Sequence, residues 1–259
     1  MYEFLKYSSE NGIARMTLSR ADAYNSLNDG ITFEIQDVIK KVAKDQDVRV
    51  LIISGEGKAF CAGQDLKESS KQEKKSFSES LHKRYNPIIK GIRNMPKPVI
   101  CQLNGVAAGA GCSLALVCDI IVASDKSYLM EVFVNIGLVL DSGSSYFLPR
   151  LVGYTKAFEW STMSTKVSAE EAEKWGIVTK VVPAEELESS VNEYAEHYAK
   201  APTKAIGLMK KMLNKSYGSS LDDMLEYEAW CQEIAGGSDD YKEGVQAFLD
   251  KRKPEFKGK

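Results

Sequence analysis

Two buried strands, each running straight into a stretch of small residues, constrain this chain more than any other feature. Between Arg49 and Ser54 the chain reads VLII, and the loop GEGKAFCAGQD follows at once. Pro98 to Leu103 (PVICQL) likewise feeds NGVAAGAGC, Asn104 to Cys112. A short apolar run bounded by turn formers reads as a strand covered on both faces. Strands of that kind need helices packed on the sheet, so the expected class is α/β with parallel βαβ units.

The flanking segments agree. Gly12 to Ser19 (GIARMTLS) alternates as a half-buried strand, and a turn-rich patch, SRADAYNS, follows it. Ile31 to Asp45 (ITFEIQDVIKKVAKD) has helical spacing, with Ile31, Phe33, Ile35, Val38, Ile39 and Val42 as its apolar positions. A helix is predicted from about Ser78 to Arg93, stopped by Met95-Pro96-Lys97-Pro98. After about residue 195 the pattern is wholly helical. The expected division is a core of residues 1–195 carrying the site and a helical subdomain of residues 196–259.

A net charge of −2 gives no bulk electrostatic reason to bind nucleic acid or a membrane surface. The mixed lysines and glutamates of residues 67–78 read as a solvated, mobile loop or helix rather than a basic patch. MYEFLKYSSENG lacks the look of a signal peptide, and the longest apolar run, Leu114 to Ala123, is broken by Asp119. A cytoplasmic location is expected. The five cysteines, Cys61, Cys101, Cys112, Cys118 and Cys231, form no CxxC pair, so reduced buried thiols are expected. Two histidines argue against a zinc or iron site built on imidazoles, and no G-x-S-x-G elbow is present.

The small-residue loops let a ligand approach the backbone, whose N–H groups point outward there and at a helix N-terminus. Two such donors aimed at one point make an oxyanion hole. Alone, each loop is also what tight strand-to-helix packing looks like, and neither is a phosphate cradle of the G-x-x-x-x-G-K-[ST] type. Asp141 stands by itself in the otherwise apolar and small-residue run NIGLVLDSGSSYFLP. It is either the N-cap of a helix starting at Ser142 or the acid/base of an active site. Among Leu138, Val139, Leu140 and Phe147 its pKa should be raised.

Taken in order, FCAGQDL, NGVAAGAGCSLALVCDI, NIGLVLDSGSSYFLPRLVG and EGVQAFLDKRKPEF resemble the crotonase, or enoyl-CoA hydratase/isomerase, superfamily. The resemblance spans nearly the whole chain. It implies a spiral of ββα units with a C-terminal helical part used in trimerisation, and a homotrimer or hexamer. It also implies an acyl-CoA thioester as substrate, coenzyme A being part of that substrate and no other cofactor being needed. The oxyanion donors would be the N–H groups of Gln64 and Ala110. Ala23, Ala62, Asp65, Leu66, Gly109 and Phe133 would line the substrate and CoA site, with Asp65 mainly shaping its loop. Phe248 and Lys251 would reach the CoA of a neighbouring subunit. A base common before Ala23 in the family is Asp22 here.

The two glutamates of family hydratases fall on Ser113 and Phe133, which puts a two-acid hydration in doubt. Glu131 is nearby but offset by two from Phe133. Asp141 matches the acid of the single-acid isomerases, among them Δ3,Δ2-enoyl-CoA and ring-epoxide phenylacetyl-CoA isomerases. The dehalogenases that share this Asp have His and Trp where Asn86 and Phe133 stand. The expectation is therefore an enoyl-CoA isomerase with Asp141 as acid/base. A hydratase is the alternative within the class, and a non-catalytic RNA- or protein-binding relative is the alternative outside it.

Overall fold

A computed structural model describes residues 2–69 and 76–259. Half of the lysine- and glutamate-rich stretch 67–78, residues 70–75, lies outside the described residues. The chain opens with a hairpin of β1 (Leu5–Glu10) and β2 (Ile13–Leu18). Its turn is Asn11-Gly12, both at positive φ, the pairing a tight hairpin requires. Helix α1 (Asp29–Lys44) follows, capped by the Asn28 side chain on Ile31 N–H at 3.0 Å. Ile31, Ile35, Val38, Ile39 and Val42 are buried. Phe33 is not: at 100° per residue it lies 200° round from Ile31, and it is half exposed. That corrects its place in the apolar stripe.

Next come β3 (Val50–Gly55), β4 (Ala59–Cys61), α2 (Leu66–Ser69) and α3 (Phe77–Ser80). A π-helical turn, Leu81–Tyr85, joins α3 to α4 (Asn86–Asn94), so the helix expected over 78–93 forms with a bulge in it. Then follow β5 (Val99–Leu103), β6 (Val106–Ala108), α5 (Ala110–Leu116), β7 (Ile120–Ser124), β8 (Tyr128–Met130) and a 3-10 turn, Phe133–Ile136. The middle of the chain closes with α6 (Ser144–Val152), α7 (Tyr154–Met163), β9 (Val167–Ser168), α8 (Ala169–Lys174) and β10 (Lys180–Val182). The last helices are α9 (Leu187–Ala199), α10 (Thr203–Ser216), α11 (Leu221–Gly236) and α12 (Asp239–Leu249).

The strands form a six-stranded sheet, β1-β2-β3-β5-β7-β10, and a four-stranded sheet, β4-β6-β8-β9. Three successive turns of chain, β3-β4, β5-β6 and β7-β8, each place one strand in either sheet before a helical segment. This is the expected ββα spiral. Its pairings are parallel, with antiparallel strands only at the β1-β2 and β8-β9 ends. Leu51, Ile53 and Cys101 face one core with Met16, Leu18, Ile31 and Ile35. Val50, Ile52, Ile100 and Val122 face a second core closed by Leu187, Val191 and Ala195 of α9. Each such side chain contributes roughly 1.5–3 kcal/mol on burial. Helix α9 thus crosses residue 195 and belongs spatially with the sheet it covers.

The junction between core and last helices is ionic. Asp119 accepts from Val99 N–H at 2.8 Å and from the buried Lys210 Nζ of α10 at 2.6 Å, with Arg93 3.8 Å away. Asp119 therefore anchors a helix-strand junction. Trp160 is buried edge-to-face against Trp175, and Trp230 is half exposed on α11. No helix among the described residues is long and apolar enough to cross a membrane.

Candidate active site

The first loop is fixed by a single parallel bridge between Leu27 and Gln64. Leu27 N–H donates to Gly63 C=O at 2.7 Å, and Asp65 N–H donates to Leu27 C=O at 3.0 Å. Both bonds go to the neighbours of Gln64, so its own N–H and C=O project to the opposite side of the chain. The second loop lies close by. A Cβ on Gly63, which sits at φ 87°, would meet Ala108 O at 2.7 Å and Ala110 N at 3.4 Å. One on Gly111 would meet Cys61 O at 2.0 Å, so only glycine allows the two loops to touch there. Ala110 begins α5, where an N–H has no carbonyl one turn earlier to bond. The geometry thus brings the Gln64 and Ala110 segments together.

Asp65 pairs with Arg20 at 2.9 Å, both side chains largely buried. Arg20 also donates to Ser26 O. This supports the loop-shaping role of Asp65. Ala62 N–H donates to Tyr24 O at 3.0 Å, which ties Ala23's 3-10 turn, Ala21–Ala23, to the first loop. Sequence reasoning missed Asn25. It is fully buried at φ 55°, and its Nδ2 donates to Glu56 O at 2.9 Å and Ala59 O at 2.8 Å. The available signal was an Asn inside a turn, where left-handed backbone is tolerated. Leu66 is half exposed at the start of α2. Gly109, at φ 51°, donates its N–H to Met130 O and faces Val132 and the buried Phe133 ring.

Asp141 is not a helix cap. Helix α6 starts at Ser144, with Gly143 at the N-cap and no side-chain cap bond. Ser142 and Gly143 are both left-handed, at φ 48° and 86°, and swing the chain into α6 after Asp141. Asp141 C=O accepts from Ser144 N–H at 3.0 Å and lies 3.3 Å from Ser113 Oγ, one turn along α5 from Ala110. The acid therefore sits beside the helix whose first N–H is the candidate oxyanion donor. Its Oδ1 is buried and has no hydrogen-bond partner among the described residues. Burial raises its pKa above the usual 3.8, while the adjacent Ser142 side chain, outside bonding geometry, acts weakly the other way. Val139 contributes nothing to that desolvation in the single chain, since it is 83% exposed.

Two further residues face this region. The π-helical turn places Tyr85, whose buried hydroxyl has no partner among the described residues and whose pKa is raised by burial. The Asp141 charge adds to that rise. Glu131, just after β8, is completely buried, and its Oε1 is in hydrogen-bond contact with Ser144 Oγ at 2.9 Å. Burial pushes its carboxyl up to about 8. Its offset from Phe133 had argued against importance. The signal for it was a lone acid in the apolar run YLMEVF.

Phe248 and Lys251 stand apart. Both are exposed at the end of α12, and Lys251 has left-handed backbone. Phe248 borders a cavity of about 680 Å³ lined by residues of α10, α11 and α12 and by Phe256, with neither glycine loop taking part.

Known proteins supply a frame for this geometry. Residues 8–259 match the model of the enoyl-CoA hydratase/isomerase family. The chain is 38% identical to a 1,2-epoxyphenylacetyl-CoA isomerase of Escherichia coli, over all of both chains. It is 35% identical to a probable enoyl-CoA hydratase of Rhodobacter capsulatus, covering 100% of this chain and 99% of that one. A solved enoyl-CoA hydratase of Bacillus anthracis superposes with a TM-score of 0.95 at 30% identity, covering 99% of this chain and 100% of that one. With the two loops, the acid turn and the ββα spiral in place, the chain belongs to the enoyl-CoA hydratase/isomerase family of enzymes.

Proposed function

We propose that this protein is an acyl-CoA isomerase with a single catalytic acid, Asp141. The observation that carries the reading is a carboxyl whose Oδ1 is buried without a partner among the described residues, on a residue whose backbone carbonyl lies 3.3 Å from Ser113 in the first turn of α5. The thioester oxygen binds between Gln64 N–H and Ala110 N–H. Asp141, ionised, removes a proton from the carbon next to the carbonyl. The negative charge spreads into a dienolate, whose oxygen the two N–H groups stabilise. The same Asp returns the proton at the γ-carbon, and the double bond moves into conjugation. The proton count closes on Asp141 alone, so no metal or redox group is required. Each oxyanion donor is worth on the order of 3 kcal/mol of barrier. A ring epoxide of an aromatic acyl-CoA is the alternative substrate, since the isomerase relative acts on one by name.

Ala23, Ala62, Leu66, Gly109 and Phe133 line the acyl and CoA path in this reading. Phe248 and Lys251 reach the CoA of an adjacent copy in a homotrimer or hexamer. The exposed apolar surface at Val139, Tyr154, Leu221, Trp230 and Phe248 supports such assembly.

The test is ultraviolet absorbance of the purified protein with 3-hexenoyl-CoA, beside Asp141→Ala. The expected outcome is growth of the conjugated 2-enoyl product and a rate loss of about 10²–10⁴ in the variant. A variant that keeps more than about a tenth of the rate overturns Asp141 as the acid. A 3-hydroxyacyl product by mass replaces isomerisation with hydration. Turnover of only the ring-epoxide phenylacetyl-CoA moves the substrate class to aromatic.

A further inference from the structure

Below Asp141 runs a chain of hydroxyls that ends on a buried acid, and its proton count has a consequence. Glu131 Oε1 lies 2.9 Å from Ser144 Oγ, which lies 2.7 Å from Ser113 Oγ. Ser113 Oγ is 3.3 Å from two backbone carbonyls, those of Gly109 and Asp141. Ser113, Ser144 and Glu131 are all completely buried. Each hydroxyl has a single hydrogen to give. If Glu131 is ionised, Ser144 donates to Oε1 and Ser113 must donate to Ser144. Neither carbonyl then receives a hydrogen bond from Ser113. If Glu131 is neutral with its proton on Oε1, the order reverses. Glu131 donates to Ser144, Ser144 donates to Ser113, and the Ser113 hydrogen is released onto Gly109 C=O or Asp141 C=O.

The neutral arrangement fits the site better. Glu131 Oε2 is buried with no hydrogen-bond partner among the described residues, and the Cys112 thiol beside the carboxyl is only a weak donor, so this is an expensive place for half of a negative charge. The titratable groups acting on Glu131 are the Cys112 thiol on α5, itself kept neutral by burial, and Asp141 in the turn before α6. Neither supplies a positive charge. Both end points matter to the proposed chemistry. Gly109 C=O belongs to the same peptide group as Ala110 N–H, so a hydrogen bond accepted by the first polarises the second as a donor. Asp141 C=O belongs to the turn that aims the acid.

We infer that Glu131 is a positioning residue that works as a neutral carboxylic acid: through Ser144 and Ser113 it directs a hydrogen bond onto the peptides of the oxyanion donor and of Asp141. This rests on the isomerase reading above. The family positions of the two hydratase acids are Ser113 and Phe133, so Glu131 acts here through hydroxyls rather than on substrate. Its titration near 8 would then reverse the chain on the alkaline side.

The experiment follows kcat and KM for 3-hexenoyl-CoA between pH 5.5 and 9.5 in wild type, Glu131→Gln, Ser113→Ala and Asp141→Ala. In wild type kcat should fall on the alkaline side with a midpoint near 8. Glu131→Gln, which does not titrate, should keep most of the neutral-pH rate and lose that alkaline limb. Ser113→Ala should lower kcat by about 3- to 10-fold, one hydrogen bond's worth, with little change in KM. A purely structural role would leave the shape of the profile unchanged, and an alkaline limb that persists in Glu131→Gln overturns the inference. Full activity in Asp141→Ala instead overturns the isomerase reading. Infrared spectra without substrate decide the matter if this thioester is not turned over. A neutral carboxyl band at pH 7 should vanish in Glu131→Gln and shift in Ser113→Ala. Absence of that band at pH 7, or its indifference to Ser113→Ala, overturns the inference.

Discussion

Two parts of this molecule bury carboxyls, and they do it in opposite ways. At the junction with α10, Asp119 is held by Lys210, Arg93 and the Val99 N–H. Lys210 in turn donates to Lys97 O at 3.2 Å, and Arg93 stacks over Phe147. Between β8 and α6, the buried Glu131 and the partly buried Asp141 have hydroxyls and the Cys112 thiol near them but no cation paired with them, and one oxygen of each has no partner among the described residues. The first arrangement spends its charge on cohesion between core and C-terminal helices. The second leaves carboxyls whose pKa values are raised by burial, which is the state a group needs to exchange protons near neutral pH. A buried acid with cations reads as a fastener, and one without cations reads as chemistry.

The largest expected effect breaks the comparison on the catalytic side. Asp141→Ala should lose about 10²–10⁴ in rate while unfolding at close to the wild-type denaturant concentration. The wild-type rate should also fall in acid, because Asp141 must be ionised to accept a proton and its raised pKa moves that loss toward neutral pH. Asp119→Ala should do the reverse: it leaves Lys210 charged and buried, at a cost of about 3–5 kcal/mol in denaturant melts. The double variant Asp119→Ala/Lys210→Met should recover part of that loss, and strict additivity would show that the pair is not coupled.

Glu131→Gln comes next. The folded state holds the Glu131 proton up to about pH 8, whereas the ordinary value is 4.5. The contribution is complete below about 4.5 and is lost as pH rises to about 8, on the order of 3 kcal/mol by neutral pH. The Gln variant, free of that loss, should melt higher than wild type at pH 8 and match it at pH 4.5. Equal melting at both would show that Glu131 is not buried in its neutral form. The smallest effect is Asp141→Asn, which should raise the melting temperature modestly at neutral pH by removing a desolvated charge. A fall would mean that Asp141 has a partner that the fold depends on.

Much of the site was legible before any coordinates. FCAGQD and NGVAAGAGC show which backbone approaches a ligand, because only small residues permit it, and the structure brings Gly63 and Ala110 side by side. Asp141 was visible as the lone acid in its run. Its competing role as a cap was not separable by sequence, since Asp suits both; the left-handed pair Ser142-Gly143 decides it by starting α6 two residues later. Glu131 was visible and undervalued, because strand periodicity assigns a face and not a partner. Phe33 shows the same limit on a helix, where an apolar residue was read into a stripe that its angle excludes.

By itself, then, the sequence determined the α/β class, the order of strands and loops, the small residues of the two loops and the family. These follow from local chemistry: periodicity, glycine's backbone freedom and the spacing of motifs along one chain. Tertiary structure alone decided that Ser113, from one loop-helix unit, meets Ser144 from the next, which in turn meets Glu131, and that Asp119 meets Lys210 across 91 positions of chain. Such contacts depend on how successive turns of the spiral stack. That stacking is set by the packing of whole surfaces rather than by any one residue's preference.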